Sequence, residues 1–212
     1  AKRNAMTRSV RFTSFDFDQS RYDSMLSDFE AIQKGVLDGI AGLARTRIVR
    51  TADDHLMGMS TYESMEELEA ANDAHASIFS DFAKYVTGEP VIRSGEVIEI
   101  NPAFATVLDA SSLKEFGYMR FTRVIFDPSS YDAMMSSLNG QLEKLFRDVS
   151  GLYLLRVVRI ADDRILAAAA YTDKSAADAA RDTAQAALSG MAEYMTEPPF
   201  VREGDLVWSY VR

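Results

Sequence analysis

Residues 42–62 read GLARTRIVRTADDHLMGMSTY, and residues 151–171 read GLYLLRVVRIADDRILAAAAY. Both stretches begin with Gly-Leu, carry two arginines at the same positions and contain Ala-Asp-Asp in the middle. Consecutive aspartates favour a turn, and the runs on either side are long enough to be strands. Each stretch therefore predicts a β-hairpin.

The similarity between the two halves extends well beyond these hairpins. A shift of 109 residues superposes residues 10–100 on residues 119–209 without a gap, and about thirty of about ninety pairs are identical. This predicts a tandem duplication, with a first unit at residues 6–100, a connector at 101–117 and a second unit at 118–212. The connector carries several apolar residues, so we expect it to pack as a short helix.

Within the first unit, periodicity predicts strands at residues 10–17, 43–51, 55–62 and 91–100. A first helix is expected from Ser20 to Leu37, and a second from Ser64, which forms a capping box with Glu67, to just before Gly88. The order strand, helix, strand, strand, helix, strand is the ferredoxin-like unit. The fold class is therefore α+β, with two tandem units whose sheets are expected to close one barrel within the chain.

Composition excludes several classes of function. The formal net charge of −9 disfavours a nucleic-acid partner, and the lack of cysteine removes disulfides and thiolate sites. No apolar stretch reaches the roughly 18–20 residues that cross a bilayer. We expect a cytoplasmic protein with no membrane partner.

Short motifs then give a family resemblance. The runs TYESMEEL at residues 61–68, YVTGEP at 85–90 and RSGEV at 93–97 resemble the antibiotic-biosynthesis-monooxygenase-like family of the dimeric α/β-barrel superfamily. The second copy repeats them as YTD at 171–173, YMTEP at 194–198 and REGDL at 202–206. The resemblance implies a barrel in which two halves of one chain replace the usual two subunits. The chain would then be a pseudo-dimer, with further oligomerisation left open.

The resemblance leaves the activity open, because the superfamily includes cofactor-free oxygenases, haem-degrading enzymes, haem peroxidases, isomerases and proteins with no known activity. Haem-degrading members place a tryptophan about ten residues before a helical histidine and an asparagine on the first strand. Here Met65 stands ten residues before His75, and the first strand carries Arg11 and Thr13. We therefore expect no cofactor.

The candidate catalytic residues are His75 and Arg47. His75 lies in the apolar stripe of the second helix, where an imidazole suits a general base; the alternative is a hydrogen-bonded core histidine. Arg47 is expected on the same sheet side as Leu43 and Val49, where a guanidinium needs an anion or a carboxylate partner. His55 is expected to be an exposed turn residue.

The candidate substrate-binding residues are Tyr62, Thr13, Arg156 and Tyr171. Tyr62 and Tyr171 end the third strands of the two units, where a hydroxyl could orient a ligand or the ring could simply pack. We expect a ligand site in the first unit that contains His75, Arg47, Tyr62 and Thr13, and no metal site, because no pair of ligands has helical metal-binding spacing.

The second unit is rich in alanine where the first has larger side chains. Small residues on facing elements give either close packing, which we expect because interiors avoid voids, or a cavity in one half. Three functions remain open. The first is oxidation of a small aromatic or quinol-like substrate without a cofactor. The second is binding of a small apolar or aromatic ligand without turnover, and the third is a stress or interaction role.

Overall fold

The computed structural model describes residues 7–104 and 116–212, apart from the side chains of Gln33 and Lys34. The strands are Ser9–Asp16 (β1), Leu43–Ala52 (β2), His55–Tyr62 (β3), Val91–Ile98 (β4), Tyr118–Ile125 (β5), Leu152–Ala161 (β6), Arg164–Tyr171 (β7) and Phe200–Val211 (β8). The α-helices are Tyr22–Gly35 (α1), Met65–Ala70 (α2), Asn72–Phe82 (α3), Tyr131–Phe146 (α4), Lys174–Ala179 (α5) and Arg181–Met191 (α6).

The strands hydrogen-bond in the order β1-β3-β2-β8-β5-β7-β6-β4 and form a closed antiparallel barrel. The α+β barrel fold predicted from the sequence is thus confirmed. The helix predicted for the connector falls largely on residues 105–115, which lie outside the described residues.

Contacts group the chain into two units, one made of Ala1–Val97 with Leu206–Arg212 and the other of Ile98–Asp205. In the first unit, Phe29 stacks on Phe82 with ring centroids 4.6 Å apart, and Trp208 lies 5.7 Å from Phe29. The backbone N–H of Arg212 donates to the carbonyl of Ala44 at 3.1 Å. The end of β8 therefore completes the core of the first unit, although the sequence assigned it to the second.

The second unit has its own core between one sheet face and α4 to α6. Leu142, Ile165 and Met191 are buried in it, together with Phe104 from the end of the described connector. The N–H of Asn101 donates to Oδ1 of Asn139 at 2.8 Å and fixes the chain where it leaves β4.

The helix starts agree with the sequence in one case and differ in another. Ser64 caps α2 as predicted, and its Oγ accepts from the N–H of Glu67 at 3.2 Å. Ser20 does not cap the first helix. Asp18 instead accepts from the N–H of Ser20 at 3.0 Å and opens a 3-10 turn, after which α1 begins at Tyr22.

Candidate functional site

Strand alternation decides which side chains of the first unit face the helices. Thr13 on β1 lies opposite Gly58 on β3, and Gly58 lies opposite Ile48 on β2. Opposed residues in antiparallel strands point to the same sheet face. Ile48 belongs to the core beneath the helices, so Thr13 and its neighbour Arg11, two residues away, also face the helices.

His75 meets Thr13 on this face. Its Nε2 lies 3.2 Å from the Thr13 hydroxyl, and its ring lies nearly parallel to Phe79 with centroids 6.4 Å apart. Burial and the positive charge of Arg11 lower the pKa of His75 to about 4. The imidazole is therefore neutral at pH 7. His75 and Thr13 were both assigned to the expected ligand site of the first unit, and the structure brings these two side chains into contact.

Arg11 makes three hydrogen bonds on the same sheet face. Its Nη1 donates to the hydroxyl of Tyr62 at 2.8 Å, its Nη2 donates to the carbonyl of Leu68 at 3.0 Å, and a further bond runs from Nη2 to Oδ1 of Asn72. Burial raises the pKa of Tyr62, and the Arg11 charge acts against this rise. Tyr62 therefore keeps its proton at neutral pH.

Arg47 does not join this group. A β-bulge between Leu43 and Arg45 shifts the pairing by one residue and reverses the alternation along β2. Leu43 packs beneath the helices, whereas Arg47 lies opposite Met59 and points to the other face of the sheet. The expectation that Arg47 shares a site with His75 is wrong for this reason.

Arg156 repeats this arrangement in the second unit. A bulge lies between Leu152 and Leu154, and Arg156 then pairs with Ala168, which itself lies opposite Phe121. Its side chain is therefore on the sheet face away from the helices of its unit. The expectation that Arg156 lies on the same side of the sheet as Leu152 is therefore wrong, whereas Arg156 does share a side with Val158.

His55 also departs from expectation. Its side chain is buried, and its Nδ1 lies 2.7 Å from Oδ1 of Asp16 on the neighbouring strand. The residue stands at the first position of β3 rather than in the turn, and strand pairing brings it directly opposite Asp16.

In the second unit, Arg120 takes the position that Arg11 takes in the first. Its Nη1 donates to the hydroxyl of Tyr171 at 3.3 Å and its Nη2 to the carbonyl of Ala177 at 2.9 Å. The third bond differs, because Nε donates at 2.6 Å to Oε2 of Glu203, where the first unit has Ser94. Arg120 is therefore held by a partly buried ion pair.

Glu203 connects Arg120 to the surface. Its Oε1 accepts from Nη2 of Arg181 at 2.7 Å. Burial raises the pKa of Glu203, but the hydrogen bonds from Arg181 and Arg120 outweigh burial and lower it overall. Burial, followed by the charges of Glu203 and Asp178, raises the pKa of Tyr118 to about 12. Because the pKa of Glu203 is lowered, its carboxylate is ionised at neutral pH.

A cavity of about 70 Å³ lies between the sheet and the helices of the second unit. Its walls are apolar, and its polar groups come from Arg120, Thr122 and Tyr171 at one end. The apolar lining residues are Val124, Leu138, Leu142, Phe146, Leu155, Val157, Ile165, Ala167, Ala169, Ala184, Ala187, Leu188 and Met191. The close packing expected for this half is therefore wrong at this place.

Residue replacement between the units explains the cavity. At matching positions, rings in the first unit give way to smaller or aliphatic side chains in the second: Phe15 to Val124, Phe29 to Leu138, His75 to Ala184, Phe79 to Leu188 and Phe82 to Met191. In the first unit these rings fill the space, as in the edge-to-face contact of Phe15 and Phe79 at 5.3 Å. The second unit keeps the arginine, threonine and tyrosine around a space that has lost its rings.

The polar end of the cavity has spare hydrogen-bonding capacity. A guanidinium has five N–H groups, and those of Arg120 bond to three acceptors among the described residues, so Nη1 and Nη2 each retain one N–H. Tyr171 accepts from Arg120, which leaves its own O–H to donate. Burial raises the pKa of Tyr171, so this proton is present at neutral pH. No described residue hydrogen-bonds to the Thr122 hydroxyl.

Only part of this site was predicted from the sequence. Tyr171 was a candidate, but Arg120 and Thr122 were not, and the site was expected in the first unit. The available signal was the loss of bulk in the second copy at helix positions that face a retained arginine and threonine. Among the described residues, no group of three or more histidine, aspartate or glutamate side chains is placed to hold a metal ion. None of the described helices is long and apolar enough to cross a membrane.

Comparison with known proteins gives matches at the level of structure. A "Putative monooxygenase" from Fusobacterium nucleatum has a TM-score of 0.72 at 11% identity, covering 98% of this chain and 95% of its own. An "anthrone oxidase-like protein" has a TM-score of 0.65 at 16% identity, covering 97% and 93%. A chlorite dismutase from Candidatus Nitrospira defluvii has a TM-score of 0.65 at 10% identity, covering 95% and 91%.

The chain has the dimeric α/β-barrel fold. That fold was expected from the motifs around the third strand and second helix of each unit, and the structural matches extend over nearly the whole chain. No family model matches the sequence, and no curated protein matches it. At these identities, the likeness establishes a monooxygenase-like fold and no particular substrate or reaction.

Proposed function

We propose that the second unit binds a small aromatic molecule with a phenolic or enolic oxygen, holds it as the anion, and exposes that anion to oxidation by dioxygen without a cofactor. The observation that carries the proposal is an apolar cavity whose polar lining residues are Arg120, Thr122 and Tyr171. An apolar pocket with a few convergent polar groups is the usual form of a small-molecule site.

The size of the cavity limits the ligand. Its volume is about 70 Å³, which is below the roughly 150 Å³ of a cavity known to hold benzene. A single ring therefore fits only if lining side chains such as Leu188 and Met191 change rotamer, which the flexible thioether of methionine allows readily. A one-ring phenol or quinol is favoured over a polycyclic compound.

The polar end favours an ionised oxygen. Arg120, whose charge is paired with Glu203, offers spare N–H groups, and Tyr171 offers a neutral O–H donor. Donors that are already oriented in a water-poor site stabilise a developing oxyanion more strongly than water does. Arg120 would therefore lower the pKa of a bound phenol, while Tyr171 and Thr122 would orient its oxygen.

An electron-rich phenolate reacts with dioxygen in a balanced monooxygenation. Dioxygen bonds to a ring carbon para to the oxygen, the proton at that carbon is lost, and the peroxide O–O bond breaks. One oxygen atom remains as a quinone carbonyl and the other leaves as water. The names of the monooxygenase and anthrone oxidase-like relatives support this choice of reaction. The alternative is binding without turnover, which the same cavity supports.

Binding is tested with 4-nitrophenol, whose anion is yellow. We expect the wild-type protein to lower the apparent pKa of the bound phenol and Arg120→Lys to abolish most of that shift, because lysine lacks the planar set of donors. Arg11→Lys is the matched control, since Arg11 makes the same tyrosine and carbonyl bonds in the first unit. An equal loss in both variants would contradict the proposed site.

Oxidation is tested with an oxygen electrode and a panel of single-ring phenols that carry a hydrogen at the carbon para to the hydroxyl. Turnover predicts consumption of one dioxygen per quinone formed and one labelled oxygen atom in the product when labelled dioxygen is supplied. Binding of the panel without oxygen consumption would select the non-catalytic alternative. Absence of both binding and consumption would rule out the proposal as a whole.

A further inference from the structure

The two units have the same arrangement of strand and helix, but the side chains between these elements differ. The helices Asn72–Phe82 and Arg181–Met191 have equal length and are offset by 109 residues, so His75 and Ala184 are each the fourth residue. Thr13 lies opposite Gly58, and at the matching positions Thr122 lies opposite Ala167. An imidazole on the helix and a hydroxyl on the strand therefore meet in the first unit, whereas a methyl group and a hydroxyl border the cavity in the second.

The imidazole in the first unit shows what this arrangement accepts. Its edge lies against the Thr13 hydroxyl at 3.2 Å, and its face lies over Phe79. In the second unit, the hydroxyl is kept as Thr122 and the apolar neighbour as Leu188, both in the cavity wall. Only the ring itself is missing, because Ala184 ends at its β-carbon.

We infer that the ligand ring in the second unit occupies the place that the His75 imidazole occupies in the first, as an uncharged heteroaromatic ring with a hydrogen-bonding nitrogen at Thr122. This inference rests on the proposed function, because it concerns the same cavity. It extends the ligand class from phenols to azoles and fixes how the ring lies. Apolar walls and the nearby Arg120 disfavour a cationic ring.

The behaviour of His75 is consistent with the charge requirement. Burial and the adjacent Arg11 lower its pKa to about 4, so this environment holds an imidazole in its neutral form. Arg120 stands in the corresponding place in the second unit. A free azole is therefore expected to bind as the neutral species and to dissociate when it is protonated.

The test uses 4-methylimidazole, which is the histidine side chain without its backbone, and calorimetry on the full chain. We expect saturable binding at pH 8 and at least tenfold weaker binding at pH 5, where the free probe is protonated. Binding of toluene, which has no titratable group, controls for changes in the protein with pH, and 4-methylphenol is measured as a second probe. Equal affinity for 4-methylimidazole at pH 5 and pH 8 would overturn the charge requirement.

The position of the ring is tested by filling it. Ala184→His should abolish binding of 4-methylimidazole, whereas Ala186→His, on the exposed side of the same helix, should leave it unchanged. By NMR, the imidazole introduced by Ala184→His should titrate well below the ordinary histidine pKa, as His75 does. Unchanged binding in Ala184→His, or an ordinary pKa for its new ring, would overturn the inference.

A second pair of variants keeps the test valid if Ala184→His does not fold. Thr122→Val preserves shape and removes the hydroxyl, and it should weaken 4-methylimidazole at least fivefold. Thr13→Val, the same change in the first unit, should not weaken it. Equal affinity of both variants and wild type would count against a bond to Thr122.

The two probes also separate this inference from the proposed function. If 4-methylphenol binds and 4-methylimidazole does not, the inference fails and the proposed function stands. If only 4-methylimidazole binds, the inference stands and the phenol proposal fails. If neither probe binds, both fail.

Discussion

The hydroxyl of Thr13 lies 3.2 Å from Nε2 of His75, whereas Thr122 at the matching position borders a cavity next to Ala184. One frame of strand and helix thus carries a filled site in one unit and an open site in the other. His75 fills its place in the first unit, whereas a cavity lies at the matching place in the second, so substitutions at matching positions should have different effects.

His75 should make stability depend on pH. Its pKa in the folded protein is about 4, below the ordinary value of 6.5, so the unfolded chain binds more protons between these values. The associated stability is fully present above about pH 6.5 and is lost as pH falls to about 4. The size of this loss is about 3 kcal/mol. Urea unfolding at several pH values in this range should show that the free energy of unfolding depends less steeply on pH in His75→Gln than in wild type.

The control for this prediction is the other histidine. His55→Gln removes the contact with Asp16 and leaves His75 in place, so the part of the slope due to His75 should persist. If the unfolding free energy of His75→Gln depends on pH as strongly as that of wild type does, the low pKa of His75 is not the source of the pH dependence.

Glu203→Gln should destabilise the second unit by about 2–3 kcal/mol, because it removes the charge that Arg120 and Arg181 share. The folded-state pKa of Glu203 is lowered, so its contribution is present above about pH 4.5 and is lost as pH falls through the folded-state pKa. Thermal unfolding of wild type and Glu203→Gln at a series of pH values from 7 downward measures this. Asp205→Asn, an exposed change on the same strand, should have little effect.

Gly42→Ala should destabilise the first unit by about 1–2 kcal/mol or more. Gly42 has a φ of +77°, which disfavours any residue with a β-carbon, and that carbon would lie 2.7 Å from Cβ of Glu67. Gly39→Ala is the control, since no atom lies within 4 Å of its added carbon. Denaturant unfolding should separate the two variants clearly, and similar midpoints would contradict the prediction.

Phe82→Ala and Met191→Ala truncate matching positions but should differ in cost. Phe82 stacks on Phe29 in a filled core, so its loss should cost about 3–5 kcal/mol. Met191 already borders the cavity, so its truncation should cost about 2 kcal/mol and enlarge the space for a ring. Unfolding free energies and affinity for 4-methylphenol measure both effects. Equal costs would indicate that the cavity is filled in solution.

Much of the fold could be predicted from the sequence because alternation and helical periodicity are local properties. The hairpin from Leu43 to Tyr62 and the cap at Ser64 follow from such patterns. The sheet face of Arg47 could not be predicted, because one bulged residue near Leu43 reverses every later side chain on the strand. A bulge leaves no composition signal of its own.

The candidate site was harder to predict than the fold. His75 and Thr13 could both be named from helix and strand periodicity, and in the structure their side chains are 3.2 Å apart. Their role in ligand binding stays a prediction. The open site depends on whether helix and sheet approach each other when side chains shrink, and this is a property of the whole layer. In the second unit the smaller side chains leave a space, which is lined by residues such as Leu142 and Phe146.

Strand β8 is divided between the two units, and this affects the order in which the units can fold during synthesis. Trp208 and Tyr210 pack in the core of the first unit, yet every residue of the second unit precedes them in the chain. A ribosome must therefore complete the second unit before the first can close its core. The N-terminal unit would be the last to mature, which reverses the usual order of folding during translation.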